Sequence, residues 1–372
     1  MTIFKKNGRV GRRLVFMMTG LVSVVTYSAM GESPKVRVAD VRRVFDNGEH
    51  NAFTDLVKWK GLFWLTFRSC PDGHMVHPSA SIIILCSKDA QHWKQVHRFR
   101  VTKRDTRDPH FLVFQDKLFV YTGTWYCGNS SPQRSEYTLN RHLGYAAWTD
   151  DGEHWRSPIM LDGTFGHYIW RATSYQGKAY LCGRRNREFD ILARGEGATV
   201  ESAMLESEDG LIWKKRALFQ SERGDETAFL FEPDGSILAV GRRGSDPAQL
   251  LMSRPPYRQW KRTQFDRYIG GPLLVKWGDR YLVGGRKSGS AFVGDRGPKT
   301  ALYWLDPKAG SPESLLSEFA ELPSGGDTSY PGFVAINQQQ ALVSWYSSHE
   351  KDAQGKTRTA IYMAELVIDP QE

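Results

Sequence analysis

The sequence predicts an all-β protein, a six-bladed β-propeller built from four-stranded antiparallel blades. A hairpin pattern of apolar strand, tight turn and apolar strand recurs six times along the chain. A shorter turn motif recurs out of phase with these hairpins, and helical periodicity is scarce. Strand repeats with a period of about 40 to 60 residues are typical of propeller blades.

The hairpins share one form, which TDLVKWKGLFWLTFR at 54–68 illustrates, and several of them end in arginine. Their turns are predicted near Gly61, Asp116, Gly177, Gly235, Gly278 and Gln338. Six blades in about 340 residues leave about 57 residues for each blade, which is enough for four short strands and their loops. The best helical candidate, at 312–322, has one or two turns at most.

Both ends of the propeller region carry strand-like runs, at 36–45 and 359–368. Because a propeller must close its ring, we expect these two runs to pair as strands of a single closing blade. No linker or break in composition divides the chain after the N-terminal segment. The sequence therefore predicts one propeller domain over residues 32–372.

The second repeat has the form S/T-x-D-x-x-x-W. It occurs at 87–93, 149–155 and 207–213, with a degenerate copy at 253–260. Ser, Thr and Asp side chains accept hydrogen bonds from backbone amides in turns, and Trp packs between sheets. We therefore interpret the aspartates of this motif as structural rather than catalytic.

Residues 1–31 match a secretory signal peptide. Five basic residues precede an apolar run that ends in small residues around Ala29. A membrane anchor is the alternative, at the short limit of length. Cleavage would reduce the net charge from +9 to +4, leaving a periplasmic or secreted chain without a membrane span. We expect a monomer that binds a glycan, with no nucleic-acid partner, metal or cofactor.

Four cysteines, Cys70, Cys86, Cys127 and Cys182, occur in this chain. In an exported protein they allow one or two disulfides, and Cys70 with Cys86 is the pair that we favour. Buried free thiols are the equal alternative.

Each predicted hairpin brings the start of its first strand and the end of its second strand to the same rim of the channel. Charged or phenolic residues occupy most of these positions. The pairs are Asp55 with Arg68, Asp108 with Thr124, Arg171 with Arg184, Glu226 with Arg242, Gly271 with Arg286, and Tyr330 with Tyr346. Arginine binds carboxylates through two parallel hydrogen bonds. The pattern favours a polar pocket for an anionic sugar.

The chain resembles the sialidase superfamily of six-bladed propellers. The S/T-x-D-x-x-x-W motifs resemble the Asp boxes of that family, and Glu226, Arg242, Arg286 and Tyr330 occur in the family's order. The resemblance implies retaining hydrolysis of a terminal sugar, with Tyr330 as nucleophile, Glu226 as its base and the arginines as carboxylate ligands. The family's Arg-Ile-Pro stretch is replaced here by His-Asn-Ala-Phe-Thr-Asp at 50–55, which puts sialic acid specificity in doubt.

Several roles stay open at this point. The substrate-binding candidates are Arg68, Arg171, Arg242, Arg286, His50, His110, Trp170 and Asp327. Arg68 and Arg171 are alternatives for the missing arginine, and Trp170 is a possible stacking surface or a core residue. Asp55, by chain order, and Asp108, by its setting, compete as the acid/base. A histidine such as His50 is also a possible acid/base or metal ligand.

Two other functions remain as alternatives. One is a hydrolase or lyase for another acidic polysaccharide, with His50 or His110 as base, which the absent Arg-Ile-Pro stretch favours. The other is a propeller that binds carbohydrate or protein without catalysis, because a fold does not determine function.

Overall fold

Six four-stranded antiparallel sheets are present in the computed structural model, which describes residues 34–189, 199–287 and 297–369. This confirms the predicted six-bladed, all-β propeller. The segment 1–31, with its predicted signal peptide, lies outside the described residues. Within the described ranges, no helix has the length and apolar character needed to cross a membrane.

In the first five blades, the four strands follow one another in chain order from the central channel outward. The first three blades consist of β2 (His50–Trp59), β3 (Leu62–Cys70), β4 (Ser81–Ser87) and β5 (Lys94–Phe99); β6 (Arg104–Phe114), β7 (Lys117–Tyr126), β8 (Leu143–Thr149) and β9 (Trp155–Met160); and β10 (Tyr168–Tyr175), β11 (Lys178–Asn186), β12 (Val200–Ser207) and β13 (Lys214–Gln220).

The fourth and fifth blades follow the same plan, whereas the sixth takes its outer strand from the start of the described chain. They consist of β14 (Thr227–Phe231), β15 (Ile237–Arg243), β16 (Asp246–Ser253) and β17 (Trp260–Gln264); β18 (Gly270–Trp277), β19 (Arg280–Lys287), β20 (Lys299–Leu305) and β21 (Leu316–Leu322); and β22 (Thr328–Ala335), β23 (Gln340–Lys351), β24 (Thr357–Ile368) and β1 (Val36–Phe45). Short 3-10 turns occur at Arg134–Glu136, Leu139–Arg141, Arg187–Phe189 and Pro312–Ser314.

The two ends of the described chain close the ring, as predicted. β1 pairs antiparallel with β24 in the sixth blade, with Val36 opposite Ile368. The six predicted turns all fall between the first and second strands of their blades. The hairpin repeat therefore corresponds to the inner half of every blade, the half that faces the channel.

The S/T-x-D-x-x-x-W motifs form the turns between the third and fourth strands. In the first copy, Asp89 Oδ1 accepts hydrogen bonds from the backbone N–H groups of Gln91 and His92, at 2.8 and 2.9 Å. Ser87 Oγ accepts from the N–H of Ala90 at 2.9 Å. The hydrogen bonds that Asp89 accepts, first from His92 and then from Gln91, lower its pKa below the usual range and occupy its side chain in the turn.

Two local predictions were wrong. The helical candidate at 312–322 is the short 3-10 turn followed by the outer strand β21. Cys70 and Cys86 are not paired, and all four cysteines are free thiols. The register explains this, because Cys86 lies opposite Trp64. Cys70 is therefore six residues further along β3, about 20 Å away at the usual strand rise, which is too far for a disulfide.

The apolar core lies between the faces of neighbouring blades, where large aromatic side chains fill the wedge-shaped spaces. Trp64, Trp170, Trp277 and Trp345 are each at most 1% exposed. Close packing of this kind between blades resists deformation, so the side chains at the strand starts are held in fixed relative positions.

Candidate active site

A cleft of about 940 Å³ opens at the end of the channel where the inner strands begin. It contains seven of the predicted site residues: His50, Asp108, Glu226, Arg242, Arg286, Asp327 and Tyr330. The inner hairpins of separate blades supply most of them, as the hairpin pattern predicted. The volume is in the range of small-molecule sites.

Tyr330 and Glu226 form the centre of this cleft. Tyr330 Oη donates a hydrogen bond to Glu226 Oε1 at 2.5 Å, and both residues are buried. The other carboxylate oxygen, Oε2, accepts from Arg242 Nη1 at 2.9 Å and from the N–H of Gly271 at 3.1 Å. Glu226 is therefore held by two donors while its Oε1 faces the phenol.

Burial, followed by the charge of Glu226, raises the pKa of Tyr330 well above its usual value. The phenol consequently keeps its proton in the resting protein. Oxygen nucleophiles of this kind are activated by an adjacent base. Here the phenol of Tyr330 already donates a hydrogen bond to Glu226, the carboxylate that can accept its proton.

Backbone irregularities aim these side chains. Five of the six inner strands have register shifts near their starts, including those around Tyr330 and Asp108. Tyr330 and Asp108 have φ values of 51° and 50°, in the left-handed region that non-glycine residues rarely adopt. Strained backbone of this type is concentrated at functional sites.

Gly271 makes room for the Tyr330 ring. Its φ is +58°, and a Cβ atom placed on it would lie 2.6 Å from Cδ2 of Tyr330. Only glycine fits both this conformation and this contact. The same residue also donates its N–H to Glu226, so one backbone position supports both partners of the central pair.

Asp108 lies in the same cleft and is 4% exposed. The hydroxyl of Tyr168 donates a hydrogen bond to Asp108 Oδ2, whereas Oδ1 is buried without a hydrogen-bond partner among the described residues. Burial and then the charge of Glu226 raise the pKa of Asp108 to about 6. A carboxyl group with this pKa is suited to proton transfer near neutral pH.

Asp55, the competing acid/base candidate, does not line this cleft. It borders a separate cavity of about 340 Å³, together with Arg171. Its Oδ1 accepts from Arg171 Nη1 at 3.2 Å and its Oδ2 from the N–H of Phe111 at 2.8 Å. Burial works against ionisation, but His110, Arg171 and Phe111 outweigh it and lower the pKa of Asp55. This carboxylate binds an arginine inside the channel.

Arg171 and His110 are placed with Asp55 rather than with the cleft. Arg171 also donates to the carbonyl oxygens of Pro272 and Pro331, at 2.8 and 2.7 Å, so with Asp55 it connects four blades. His110 is 2% exposed, and burial lowers its pKa. Both residues therefore belong to a buried polar cluster around Asp55, outside the cleft.

Arg68 and Trp170, two more of the predicted substrate-binding residues, do not line this cleft. Arg68 is fully buried, and it donates to Asp105 at 3.1 and 2.9 Å and to the carbonyl oxygens of Gly73 and Met75. It fixes the loop after β3. Trp170 is 1% exposed and packs edge-on against Tyr330, with ring centroids 6.2 Å apart, so no sugar can stack on it.

Asp327 is held by two histidines on the cleft wall. Its Oδ2 lies 2.8 Å from Nε2 of His50 and 2.6 Å from Nδ1 of His74, and its Oδ1 accepts from Tyr346 Oη at 2.8 Å. Burial acts to raise the pKa of Asp327, but the histidines outweigh it. The net pKa lies well below the usual range.

The cleft also contains residues that were not among the predicted site residues, including His74, Arg107, Arg134, Tyr168, Arg184, Tyr268 and Tyr346. Arg184 and Tyr346 stand at the rim positions that the hairpins define, so that signal was available. His74 and Arg134 come from the loops after β3 and β7, which the hairpin pattern does not place. Five arginines of the described ranges line the cleft: Arg107, Arg134, Arg184, Arg242 and Arg286.

Comparison with solved structures gives the same architecture. A protein of unknown function from Dyadobacter fermentans superposes with a TM-score of 0.72 and 19% identity, over 91% of this chain and 100% of that chain. The endosialidase of phage phi92 superposes with a TM-score of 0.64 and 11% identity, over 90% of this chain and 70% of that one. The chain has the propeller fold of the sialidases.

A Trypanosoma rangeli sialidase, in complex with the inhibitor DANA, also superposes, with a TM-score of 0.63 and 12% identity. The match covers 88% of this chain and 60% of that protein, so the sialidase-like propeller corresponds to little more than half of it. No family model matches the sequence, and no curated protein sequence is similar to it. At these identities, the comparisons show the fold alone.

Proposed function

We propose that this protein is an exported, retaining glycoside hydrolase that removes a terminal anionic sugar from a glycan. The observation that carries the proposal is the 2.5 Å hydrogen bond from Tyr330 to Glu226, in a cleft that also holds Asp108. A nucleophile, its base and a carboxyl group with a raised pKa are the parts that this reaction needs.

In the first step, Tyr330 Oη bonds to the anomeric carbon while the glycosidic C–O bond breaks. Glu226 Oε1 takes the phenolic proton, and Asp108 gives its proton to the leaving oxygen. In the second step, Asp108 takes a proton from water, and the resulting hydroxide attacks the anomeric carbon. The tyrosyl–carbon bond breaks, and the proton on Glu226 returns to Tyr330.

Five cleft arginines support an anionic substrate. Arg242 is engaged by Glu226 at 2.9 Å and by Asp225 at 3.4 Å. Among the described residues, Arg286 makes one weak hydrogen bond, of 3.4 Å to Tyr268, and lies 3.9 Å from Asp327. Donors of Arg286 therefore remain for a substrate carboxylate, which a guanidinium binds in a bidentate manner.

A panel of fluorogenic glycosides tests the proposal. The panel contains an α-sialoside, hexuronides and neutral hexosides, and each is assayed with wild type and Tyr330→Phe. We expect hydrolysis of at least one anionic glycoside by wild type and its loss in the variant. Hydrolysis that survives in Tyr330→Phe, or activity confined to the neutral sugars, would contradict the proposal.

A further inference from the structure

We propose that His50, His74 and Asp327 form a binding site for a divalent transition-metal ion, of which Zn²⁺ is the reference. The ligand atoms are His50 Nε2, His74 Nδ1 and Asp327 Oδ2, which all lie within 4.8 Å of one another. Two imidazole nitrogens and one carboxylate oxygen are a ligand set that Zn²⁺ and related ions bind in proteins. This inference goes beyond the proposed hydrolase.

The Asp327 carboxylate is held in place through its second oxygen, Oδ1. Tyr346 donates to Oδ1 of Asp327 at 2.8 Å, and Arg286 lies 3.9 Å from the same oxygen. Oδ2 is consequently directed between the two imidazole rings. Outer contacts that fix a ligating carboxylate in this way are characteristic of metal sites.

The three ligand atoms lie slightly too close together for a bound ion, so the site must widen by a small amount. Oδ2 lies 2.8 and 2.6 Å from the two nitrogens, whereas ligands of a tetrahedral zinc ion are about 3.3 Å apart. Shifts of roughly half an ångström open the site. His74 stands on the loop after β3 and its side chain is 47% exposed, so this ligand has room to move.

Three protein ligands leave at least one coordination position, and all three residues line the cleft. An ion here would present that position to the bound molecule, with a carboxylate or hydroxyl oxygen as the matching group. Metal binding is measurable without turnover. A protein that binds no Zn²⁺ can therefore still be the proposed hydrolase. A protein that hydrolyses no glycoside can still bind Zn²⁺ at this site.

Isothermal titration of the chelator-stripped protein with ZnCl₂ at pH 7.5 tests the site. We expect one Zn²⁺ per chain in the cleft, with the affinity lowered tenfold or more in His74→Ala and in the milder His74→Gln. Circular dichroism and thermal melting of the metal-free variants verify that they are folded. No Zn²⁺ binding by wild type, or unchanged binding in both folded variants, would overturn the proposal.

Two controls are matched to this measurement. His154 binds Asp151 at 2.7 Å through the same ring atom, but its side chain is 87% exposed and no second histidine is adjacent among the described residues. Cys70, Asp72 and His77 form a rival cluster. We expect His154→Ala and His77→Ala to keep the site. Loss of the bound ion in His77→Ala, with His74→Ala unaffected, would assign it to the rival cluster instead.

Discussion

Tyr330 Oη donates a hydrogen bond to Glu226 Oε1 at 2.5 Å, although 104 residues separate the two in the chain. Glu226 immediately precedes the first strand of the fourth blade, and Tyr330 lies in the first strand of the sixth. Gly271 of the intervening blade donates its N–H to Glu226 and leaves space for the tyrosine ring. Closure of the ring therefore assembles the pair from three blades.

Replacing Tyr330 with Phe removes the proposed nucleophile but keeps the ring packing. We expect kcat/KM on the best substrate to fall by about a thousandfold or more, because no other group takes over the covalent step. Tyr257→Phe is the matched control: it removes a buried hydroxyl, bonded to the carbonyl oxygen of Gly235 at 2.9 Å, outside the cleft. Equal losses in the two variants would contradict the assignment.

Glu226→Gln preserves the shape of the proposed base while removing its ability to take a proton. Its amide oxygen can still accept from Arg242 and Gly271. We expect kcat to fall by about 10²- to 10⁴-fold, the range for general base catalysis. Steady-state kinetics with substrates of differing leaving groups provide the measurement. A variant with kcat near the wild-type value would show that Tyr330 needs no base.

The raised pKa of Asp108 makes a pH-dependent prediction for activity. Because the first step needs Asp108 protonated, we expect kcat/KM of wild type to decline as the pH rises through about 6. Asp108→Asn should lower activity by about a hundredfold or more and remove this decline from the pH profile. The exposed Asp279→Asn, whose side chain is 93% accessible, serves as the control. If the activity of Asp108→Asn still declined through about pH 6, the decline would belong to another group.

The same residue makes a stability prediction. The folded protein holds the proton of Asp108 up to about pH 6, whereas an unfolded aspartate loses it near 3.8. The resulting stabilisation is complete below 3.8 and is lost as the pH rises through about 6. We therefore expect wild type to lose more Tm between pH 4 and pH 7 than Asp108→Asn does. Parallel Tm curves for the two proteins would contradict this.

Gly271→Ala tests the steric support of Tyr330. The added methyl would lie 2.6 Å from the tyrosine ring, so the ring must shift. We expect about 1–3 kcal/mol of lost unfolding free energy and a drop in kcat. Gly278→Ala is the control. Gly278 has a similar φ of +63°, but a Cβ there would have nothing within 4 Å, so this variant shows the effect of backbone strain alone. A Gly271→Ala enzyme as active as Gly278→Ala would refute the role.

Arg286→Lys tests recognition of the anionic group. Lysine keeps the positive charge but lacks the planar fork that binds a carboxylate through two bonds. We expect KM for the anionic substrate to rise about tenfold, with a smaller change in kcat. Arg267→Lys, at a surface pair with Asp266, is the control. An unchanged KM would remove Arg286 from the substrate site.

The sequence predicted the propeller because its signals are local and repeated. Turn residues and alternating apolar strands recur in all six blades, and they placed Glu226, Arg242, Arg286 and Tyr330 at one rim. The positions of Asp55 and Arg171 were not predictable in the same way. They depend on how far each strand extends into the channel and on an ion pair that crosses it.

The long loops and the burial of arginines were also beyond the sequence patterns. His74 and Arg134 reach the cleft from loops whose path depends on tertiary contacts. Arg68, at a rim position of its hairpin, turns inward because Asp105 supplies two oxygens that neutralise it. An arginine that binds substrate and one that holds a loop have the same pattern in the sequence.

The most direct test of the central claim is the detection of a covalent bond to Tyr330. The protein is incubated with an analogue of its substrate that carries fluorine beside the anomeric carbon and a good leaving group, so that the intermediate forms and then hydrolyses slowly. Peptide mass spectrometry locates the added mass. We expect a glycosyl group on Tyr330 that is absent from Tyr330→Phe. A glycosyl group on another residue, or turnover of the analogue without any adduct, would contradict it.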